Sequence, residues 1–384
     1  MAGKFSIPSS VYVGENALWE AMPEICGMGD RACIVTGKSM IAQGHVDRLV
    51  HSLKQGGTDA VVFSGITGEP ADKMIKEGLG LYREECCDCL IGFGGGSPLD
   101  AAKAIGAMAV SPGKLSDYNG RSMEQKLPPV AAIPTTAGTG SEATGFSIIT
   151  DTEKGIKMLL KGDVLLPSVA VVDPLFSMGT PPEVTAATGL DALTHAVEAY
   201  LSKKAMPLTD AYAVSAVKRI LKWLPEAFLD GNNKKAREEM AVAALEAGIC
   251  INNSSVTIVH GMSRPIGALF NVPHGISNAM LLDKCLAFVK KDYPEKFARL
   301  ARETGTASPD TTEAEAADAF LGKLKETCMV CRIPQLKDYG INRQDFFRAI
   351  DKMAKDAFDS KSPSNAPGEI TVSDIKDIYR NLWD

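Results

Sequence analysis

A doubly wound α/β domain followed by an all-helical domain (α/β + all-α) is the fold class this 384-residue sequence predicts. Two observations carry that reading. Short β-branched runs alternate with helical stretches through the first half, and strand signals fade after Asp173-Pro174. From Pro181 onward the patterns are helical, which divides the chain into residues 1–180 and 181–384 near Thr180-Pro181-Pro182. Length agrees, because roughly 150 residues per domain allows two or three.

The strand candidates are Ala32–Thr36, Ala60–Phe63, Cys89–Phe93, Val130–Pro134 and Val169–Val172. Each is a continuous apolar run, as a parallel sheet covered on both faces requires. Ile41–Lys54, Ala71–Glu84 and Leu99–Val110 lie between them with helical periodicity. In the second half, Ala211–Phe228, Lys234–Cys250, Pro294–Thr304, Thr312–Cys328 and Arg343–Met353 carry Ala, Leu, Glu, Lys and Arg at three- and four-residue spacing.

Composition excludes several classes. At 45% hydrophobic and 23% charged residues the chain is neither disordered nor collagen-like. A net charge of −6 gives no whole-chain attraction for nucleic acid or an anionic membrane. Nine cysteines form no regular disulfide framework, and Cys86-Cys87-x-Cys89 and Cys328-x-x-Cys331 do not make a matched zinc pair. They read as reduced structural thiols. The start, Met-Ala-Gly-Lys-Phe-Ser-Ile-Pro, lacks the features of a signal peptide, and no apolar run approaches the ~20 residues of a membrane span. A cytoplasmic protein is expected.

The strand ending Leu90-Ile91-Gly92-Phe93 runs into Gly94-Gly95-Gly96-Ser97-Pro98 and then Leu99-Asp100. Glycines let backbone N–H groups approach a phosphate, while Ser97 suits an N-cap and Pro98 the first helical position. Such a turn at a helix start is an anion site, although GxGxxG is only approximated and a plain tight turn would look similar. A second Gly/Thr loop, Pro134-Thr135-Thr136-Ala137-Gly138-Thr139-Gly140-Ser141-Glu142, also follows an apolar strand and would open on the same sheet edge.

Histidine is scarce, with five in the chain. Asp191 and His195 are four apart and share a face if helical, though Asp191 could equally be an N-cap and His195 a core residue. His260 and His274 each precede glycine. One carboxylate and three imidazoles would suit Fe²⁺ or Zn²⁺.

Gly94-Gly-Gly-Ser-Pro-Leu-Asp-Ala-Ala-Lys103, the Pro134–Glu142 loop, Ala187-Thr-Gly-Leu-Asp-Ala-Leu-Thr-His-Ala-Val-Glu198 and Val259-His-Gly-Met with Val272-Pro-His-Gly-Ile-Ser-Asn-Ala-Met280 together resemble the iron-containing (group III) alcohol dehydrogenases. The likeness runs almost from end to end. It implies a Rossmann-like dinucleotide-binding domain and a dehydroquinate synthase-like helical domain. By resemblance, Asp191, His195, His260 and His274 are metal ligands. Gly94, Gly95, Gly96, Ser97 and Asp100 belong to the cofactor site, with Thr135, Thr136 and Thr139 along the cofactor and Lys157 reaching it. The implied reaction is hydride transfer between nicotinamide C4 and a small alcohol or aldehyde, with a homodimer or larger homo-oligomer as the family expectation. A dehydroquinate synthase-like lyase and a nucleotide-binding protein without catalysis are the rivals.

Three departures sharpen the expectation. Many members carry aspartate after the first strand-end threonine, where this chain has Thr36-Gly37-Lys38-Ser39. Without that negative charge, and with Lys38 and Ser39 able to bond a 2′-phosphate, NADP is favoured over NAD. Arg264 stands where many relatives have a histidine on the proton path. An arginine cannot be a base near neutrality, so either water carries the proton or Arg264 serves the substrate, where it would favour an anionic group; a salt bridge within the helical domain is the plainer reading. Glu69-Pro70 replaces a common Asn-Pro beside the cofactor, which makes Glu69 a doubtful cofactor contact.

Overall fold

The computed structural model describes residues 3–383 and divides into two compact units, residues 6–178 and 179–383, with residues 3–5 joined to the second. In the first unit the strands are β1 (Ser10–Val13), β2 (Arg31–Thr36), β3 (Asp59–Phe63), β4 (Cys89–Gly94), β5 (Val130–Pro134), β6 (Phe146–Asp151), β7 (Ile156–Lys161) and β8 (Val169–Val172). Its helices are α1 (Ala17–Cys26), α2 (Lys38–Ala42), α3 (His45–Gln55), α4 (Asp72–Glu84) and α5 (Gly96–Val110).

Six strands form a parallel sheet in the order β1-β8-β5-β4-β2-β3. Successive side chains on a strand face opposite ways. Accordingly Cys33 and Val35 enter one apolar cluster, while Ala32 and Ile34 enter the other. Both faces are therefore covered, which is why the strands read as unbroken apolar runs. The chain passes from β2 to the edge strand β3 and then returns to β4 on the other side of β2. Ligands of open α/β sheets bind at such a reversal, outside the carboxyl ends of the strands.

Three local details differ from the sequence expectation. The helix expected over Ile41–Lys54 is two helices, α2 and α3, parted at Gly44, whose φ of 73° only glycine adopts readily. Helix α5 starts one turn earlier than its periodicity suggested, with Gly95 rather than Ser97 at the N-cap. The antiparallel pair β6–β7 was not anticipated at all.

The second unit is helical: α6 (Pro182–Leu201), α7 (Pro207–Leu229), α8 (Lys234–Asn253), α9 (Ile258–Phe270), α10 (His274–Lys290), α11 (Pro294–Thr304), α12 (Glu313–Val330), α13 (Arg343–Asp359) and α14 (Val372–Asn381). Helix α6 is buried along nearly its whole length after Thr185, and α7, α8 and α10 pack on it. A helix enclosed on every side can hold polar groups only if they are paired. No single helix among the described residues is long and apolar enough to cross a membrane. All nine cysteines are free thiols. Burial pushes Cys33, Cys89, Cys328 and Cys331 up to about 12, which leaves them unreactive and agrees with a structural role.

Candidate metal centre and dinucleotide edge

Three segments singled out in the sequence follow neighbouring strands at one edge of the sheet. Thr36 pairs with Phe93, and Gly94 with Pro134, so Gly37-Lys38-Ser39, Gly94–Ser97 and Thr135–Thr139 continue from the carboxyl ends of β2, β4 and β5. Thr36 Oγ1 donates to the Phe93 carbonyl at 2.7 Å and the Thr135 N–H to the Gly94 carbonyl at 2.9 Å. The two glycine loops touch: a β-carbon on Gly96 would lie 2.7 Å from Thr139 Cγ2. The reversal of strand order falls between β2 and β4, where Gly37 and the Gly94–Ser97 turn sit.

A buried polar cluster braces this edge. The Lys103 ammonium, wholly enclosed, reaches Ser141 Oγ (2.8 Å), the Thr144 carbonyl (2.8 Å) and hydroxyl (3.2 Å), and the Phe146 carbonyl (3.0 Å). Asp100 accepts from Ser141 Oγ at 2.6 Å and from the Ile148 N–H at 2.9 Å. Its carboxylate is thus engaged in holding the loop. Lys157, on β7, donates to Glu69 Oε1 at 2.7 Å, and both side chains are exposed. Neither Lys103 nor its bracing role was read from the sequence.

In the helical unit, Asp191 lies inside α6 rather than at its cap, with His195 one turn on. His260 lies on α9 and His274 opens α10. The Nε2 atoms of His260, His274 and His195 stand 3.4, 3.7 and 3.9 Å from the same oxygen, Asp191 Oδ1. Ligand atoms of Asp191, His195 and His260 all lie within 4.8 Å of one another. Bonds of ~2.0–2.2 Å at tetrahedral angles set donor atoms about 3.3–3.6 Å apart. The cluster therefore has the dimensions and the N/O chemistry of a site for one divalent ion. Burial drives the Asp191 carboxyl up, but the His195, His274 and His260 rings outweigh it and hold it well below the carboxylate range. His260 is held up to about 9, because Asp191 and Glu198 overcome the effect of its burial.

Two further side chains complete the cluster, and neither was assigned a role from sequence. Glu198, fully buried, accepts from His260 Nδ1 at 2.6 Å, Thr257 Oγ1 at 2.7 Å and the Val259 N–H at 2.6 Å. Burial alone would raise its pKa, yet the His260 and Thr257 bonds bring it down. It sits seven residues after Asp191, two helical turns along the same face, which is a spacing visible in the sequence. Asn278 Nδ2 donates to Asp191 Oδ1 at 2.7 Å and lies 3.2 Å from Nε2 of both His260 and His274. Its amide oxygen is buried without a hydrogen-bond partner.

Arg264 follows His260 by one turn on α9, half-buried. Its guanidinium donates to Ser362 Oγ at 3.2 Å and, among the described residues, forms no ion pair with a carboxylate. The salt bridge within the helical domain is not formed among the described residues, although the Glu198 carboxylate acts on the guanidinium at a distance.

Glycine-rich loops on the edge of a parallel sheet, together with a carboxylate–imidazole cluster on buried helices, are the working parts of a metal-dependent, dinucleotide-linked oxidoreductase. Comparison with known proteins gives the same answer. Residues 8–174 match the family described as iron-containing alcohol dehydrogenase, and residues 185–383 match the C-terminal part of the Fe-containing alcohol dehydrogenase family. The chain is 38% identical to 1,3-propanediol dehydrogenase of Citrobacter freundii over 99% of its own length and 98% of the relative's. A crystal structure of 1,3-propanediol oxidoreductase superposes with a TM-score of 0.95 at 36% identity, covering 100% of both chains. A sulfoacetaldehyde reductase from Bifidobacterium kashiwanohense, solved with NAD⁺, gives 0.90 at 28% identity over 100% of this chain and 99% of that one. The chain belongs to the iron-containing alcohol dehydrogenase family and is an oxidoreductase of alcohols and aldehydes.

Proposed function

We propose that Asp191, His195, His260 and His274 hold one Fe²⁺ or Zn²⁺ and that the enzyme interconverts a small aldehyde and its alcohol, the aldehyde carrying an anionic group. The convergence of three imidazole Nε2 atoms on Asp191 Oδ1 carries the metal part of this reading. Bound at their sites, the ion supplies Lewis acidity to the carbonyl oxygen and the nicotinamide supplies or accepts the hydride. The protein's own groups do the rest. Gly94–Ser97, Thr135, Thr136 and Thr139 offer backbone and hydroxyl donors for the pyrophosphate and ribose. Asp100 acts on the cofactor site at second hand, by fixing the Ser141 loop. Lys157 contributes once it exchanges Glu69 for the cofactor.

Arg264 sets the substrate class. Its guanidinium cannot take a proton from an alcohol. Without a carboxylate partner, it remains available to a sulfonate, carboxylate or phosphonate on the substrate, helped by the Ser362 hydroxyl. The named sulfoacetaldehyde reductase, whose substrate carries such a group, lends this support. Gly37, Lys38 and Ser39 favour NADP over NAD for want of an acidic side chain after β2. A homodimer or larger homo-oligomer in the cytoplasm completes the proposal, and sedimentation reads the first part.

The test is a panel of short aldehydes, neutral and anionic, with NADPH and NADH, on enzyme reconstituted anaerobically with Fe²⁺ or Zn²⁺. A charge-assisted bond is worth ~1.5–3 kcal/mol, so Arg264→Ala should lower kcat/KM for anionic aldehydes by about 10- to 150-fold and leave neutral ones nearly unchanged. Equal losses on both classes would remove Arg264 from substrate recognition.

A further inference from the structure

We infer that Glu198 is a positioning residue that fixes the protonated nitrogen of His260 and thereby sets how tightly the cluster binds its ion. The inference rests on the metal reading of Asp191, His195, His260 and His274. An ionised carboxylate only accepts hydrogen bonds. Glu198 Oε1 is already occupied by the Thr257 hydroxyl at 2.7 Å and the Val259 N–H at 2.6 Å, and Oε2 faces His260 Nδ1 at 2.6 Å. That nitrogen must therefore carry the hydrogen. Nε2, 3.4 Å from Asp191 Oδ1, is left as the atom that gives a lone pair to an ion, which displaces any hydrogen Nε2 carries in the metal-free protein. Imidazole ligands depend on this arrangement, since the bond made by one ring nitrogen decides which nitrogen is free and how basic it is.

The fold makes the contact stiff. Glu198 is anchored on α6, two turns beyond Asp191, and accepts from the first turn of α9, where Thr257 is the N-cap and Val259 and His260 follow. One carboxylate thus caps α9 and orients the ring that α9 carries. The capping contact alone would make Glu198 a structural residue, so a decisive experiment must separate the two roles. Glutamine fills the same volume and can still accept from the helix start. Its amide NH₂ turned toward His260 would favour a ring with the hydrogen on Nε2 instead, and that hydrogen must shift before Nε2 can bind the ion, which weakens binding.

The experiment uses the full-length protein, metal-free and after titration with Co²⁺ or Zn²⁺ against a competing chelator. Wild type, Glu198→Gln and Thr257→Val are compared for metal dissociation constant, Co²⁺ absorption bands and melting temperature. Imidazole ¹⁵N NMR of the metal-free wild-type protein reads the hydrogen on His260 Nδ1 directly. Expected are a hydrogen on Nδ1 in the wild type and its loss in Glu198→Gln. Metal affinity should fall about 10- to 100-fold in Glu198→Gln, the range for removal of a ligand's orienting partner. Thr257→Val, which perturbs the cap and leaves Oε2 alone, should lower the melting temperature and change metal affinity by less than about threefold.

An Nδ1 without hydrogen in the wild type overturns the inference, even if Glu198→Gln fails to fold. So does a folded Glu198→Gln that binds metal as tightly as wild type, or a Thr257→Val that loses affinity equally. Failure of the wild type to bind either ion would instead remove the metal reading, while the NMR measurement would still decide what Glu198 does.

Discussion

Gly275 is the point at which the backbones of two site helices meet, and an added methyl group measures how much the metal cluster depends on that approach. It follows His274 at the start of α10 and lies over Ala187 of α6, one turn before Asp191. A β-carbon there would stand 2.1 Å from the Ala187 carbonyl oxygen, 2.7 Å from its carbonyl carbon and 3.2 Å from its α-carbon. Ordinary contact begins at 3.4 Å, so the helices must part locally by about 1.3 Å. Both partners are backbone, and no rotamer change relieves the clash. Overpacking of this kind costs ~1–3 kcal/mol, and the absence of any escape places Gly275→Ala near ~3 kcal/mol. For a unit of about 200 residues that is a drop of roughly 6–12 °C in the melting of the helical unit. His274 moves with α10, which lengthens its 3.7 Å approach to Asp191 Oδ1 toward 5 Å, beyond the reach of a shared ion. Calorimetry of the metal-free protein and chelator competition with Zn²⁺ read both effects, with affinity expected to fall at least about tenfold. Alanine is otherwise the better helix former by ~0.8–1 kcal/mol. A variant as stable as wild type, with undiminished metal affinity, would refute the close-approach argument.

Three other outcomes are expected. Glu142 is buried, with one carboxylate oxygen lacking a partner, and burial pushes its pKa up to about 7. The folded protein thus binds a proton more tightly than the unfolded chain, and stability from this group is lost as pH rises from about 4.5 to 7. Glu142→Gln should be more stable by up to ~3 kcal/mol at pH 8 and unchanged near pH 4, as denaturant titrations at the two pH values would show. Gly37→Asp should reverse coenzyme choice, with kcat/KM for NADPH falling about 10- to 100-fold relative to NADH through charge repulsion at the 2′-phosphate; an unchanged ratio would exclude this segment from coenzyme selection. Removing the metal with chelator should lower the melting of the helical unit and restore it on titration with Zn²⁺, because ion at 100 times its dissociation constant adds ~2.7 kcal/mol; a melting curve indifferent to Zn²⁺ would contradict a site on α6, α9 and α10.

The elements that were legible in the sequence are those whose environment is uniform. Strands β2, β4, β5 and β8 are covered on both faces and so appear as apolar runs, and α11 and α13 carry one apolar stripe each. The hairpin β6–β7 escaped notice because its apolar residues alternate with exposed ones and its turn is built by Asp151 accepting from the N–H groups of Glu153 and Lys154. Helices α9 and α10 were equally hidden. Pro265 lies inside α9, and Gly261 and Gly275 serve close contacts with Pro363 and Ala187, all against helix propensity. They are also the helices that carry His260 and His274. Local sequence rules fail where side chains are chosen for the site. The four candidate ligands were legible as motifs, whereas the partners of Glu198 lie about sixty residues away and exist as partners only in the folded chain.

Charge balance joins the remaining observations. Asp191 and Glu198 place two negative charges in a buried region, and a divalent ion would match them. Arg264 feels the Glu198 carboxylate at a distance, but its direct bond is to the neutral Ser362 hydroxyl, and among the described residues it forms no ion pair. Keeping a guanidinium half-buried in this way costs stability that a salt bridge would have recovered. A substrate bringing one negative charge neutralises it at the moment of binding, whereas a neutral aldehyde must leave it as it is. The whole-chain charge of −6 would oppose the approach of an anion only weakly at physiological salt, where fields from distant exposed groups are screened. On the proposed role of Arg264, discrimination would reside in one residue one turn from the cluster, and exchanging Arg264 for histidine should broaden the enzyme toward neutral aldehydes while costing it the anionic ones.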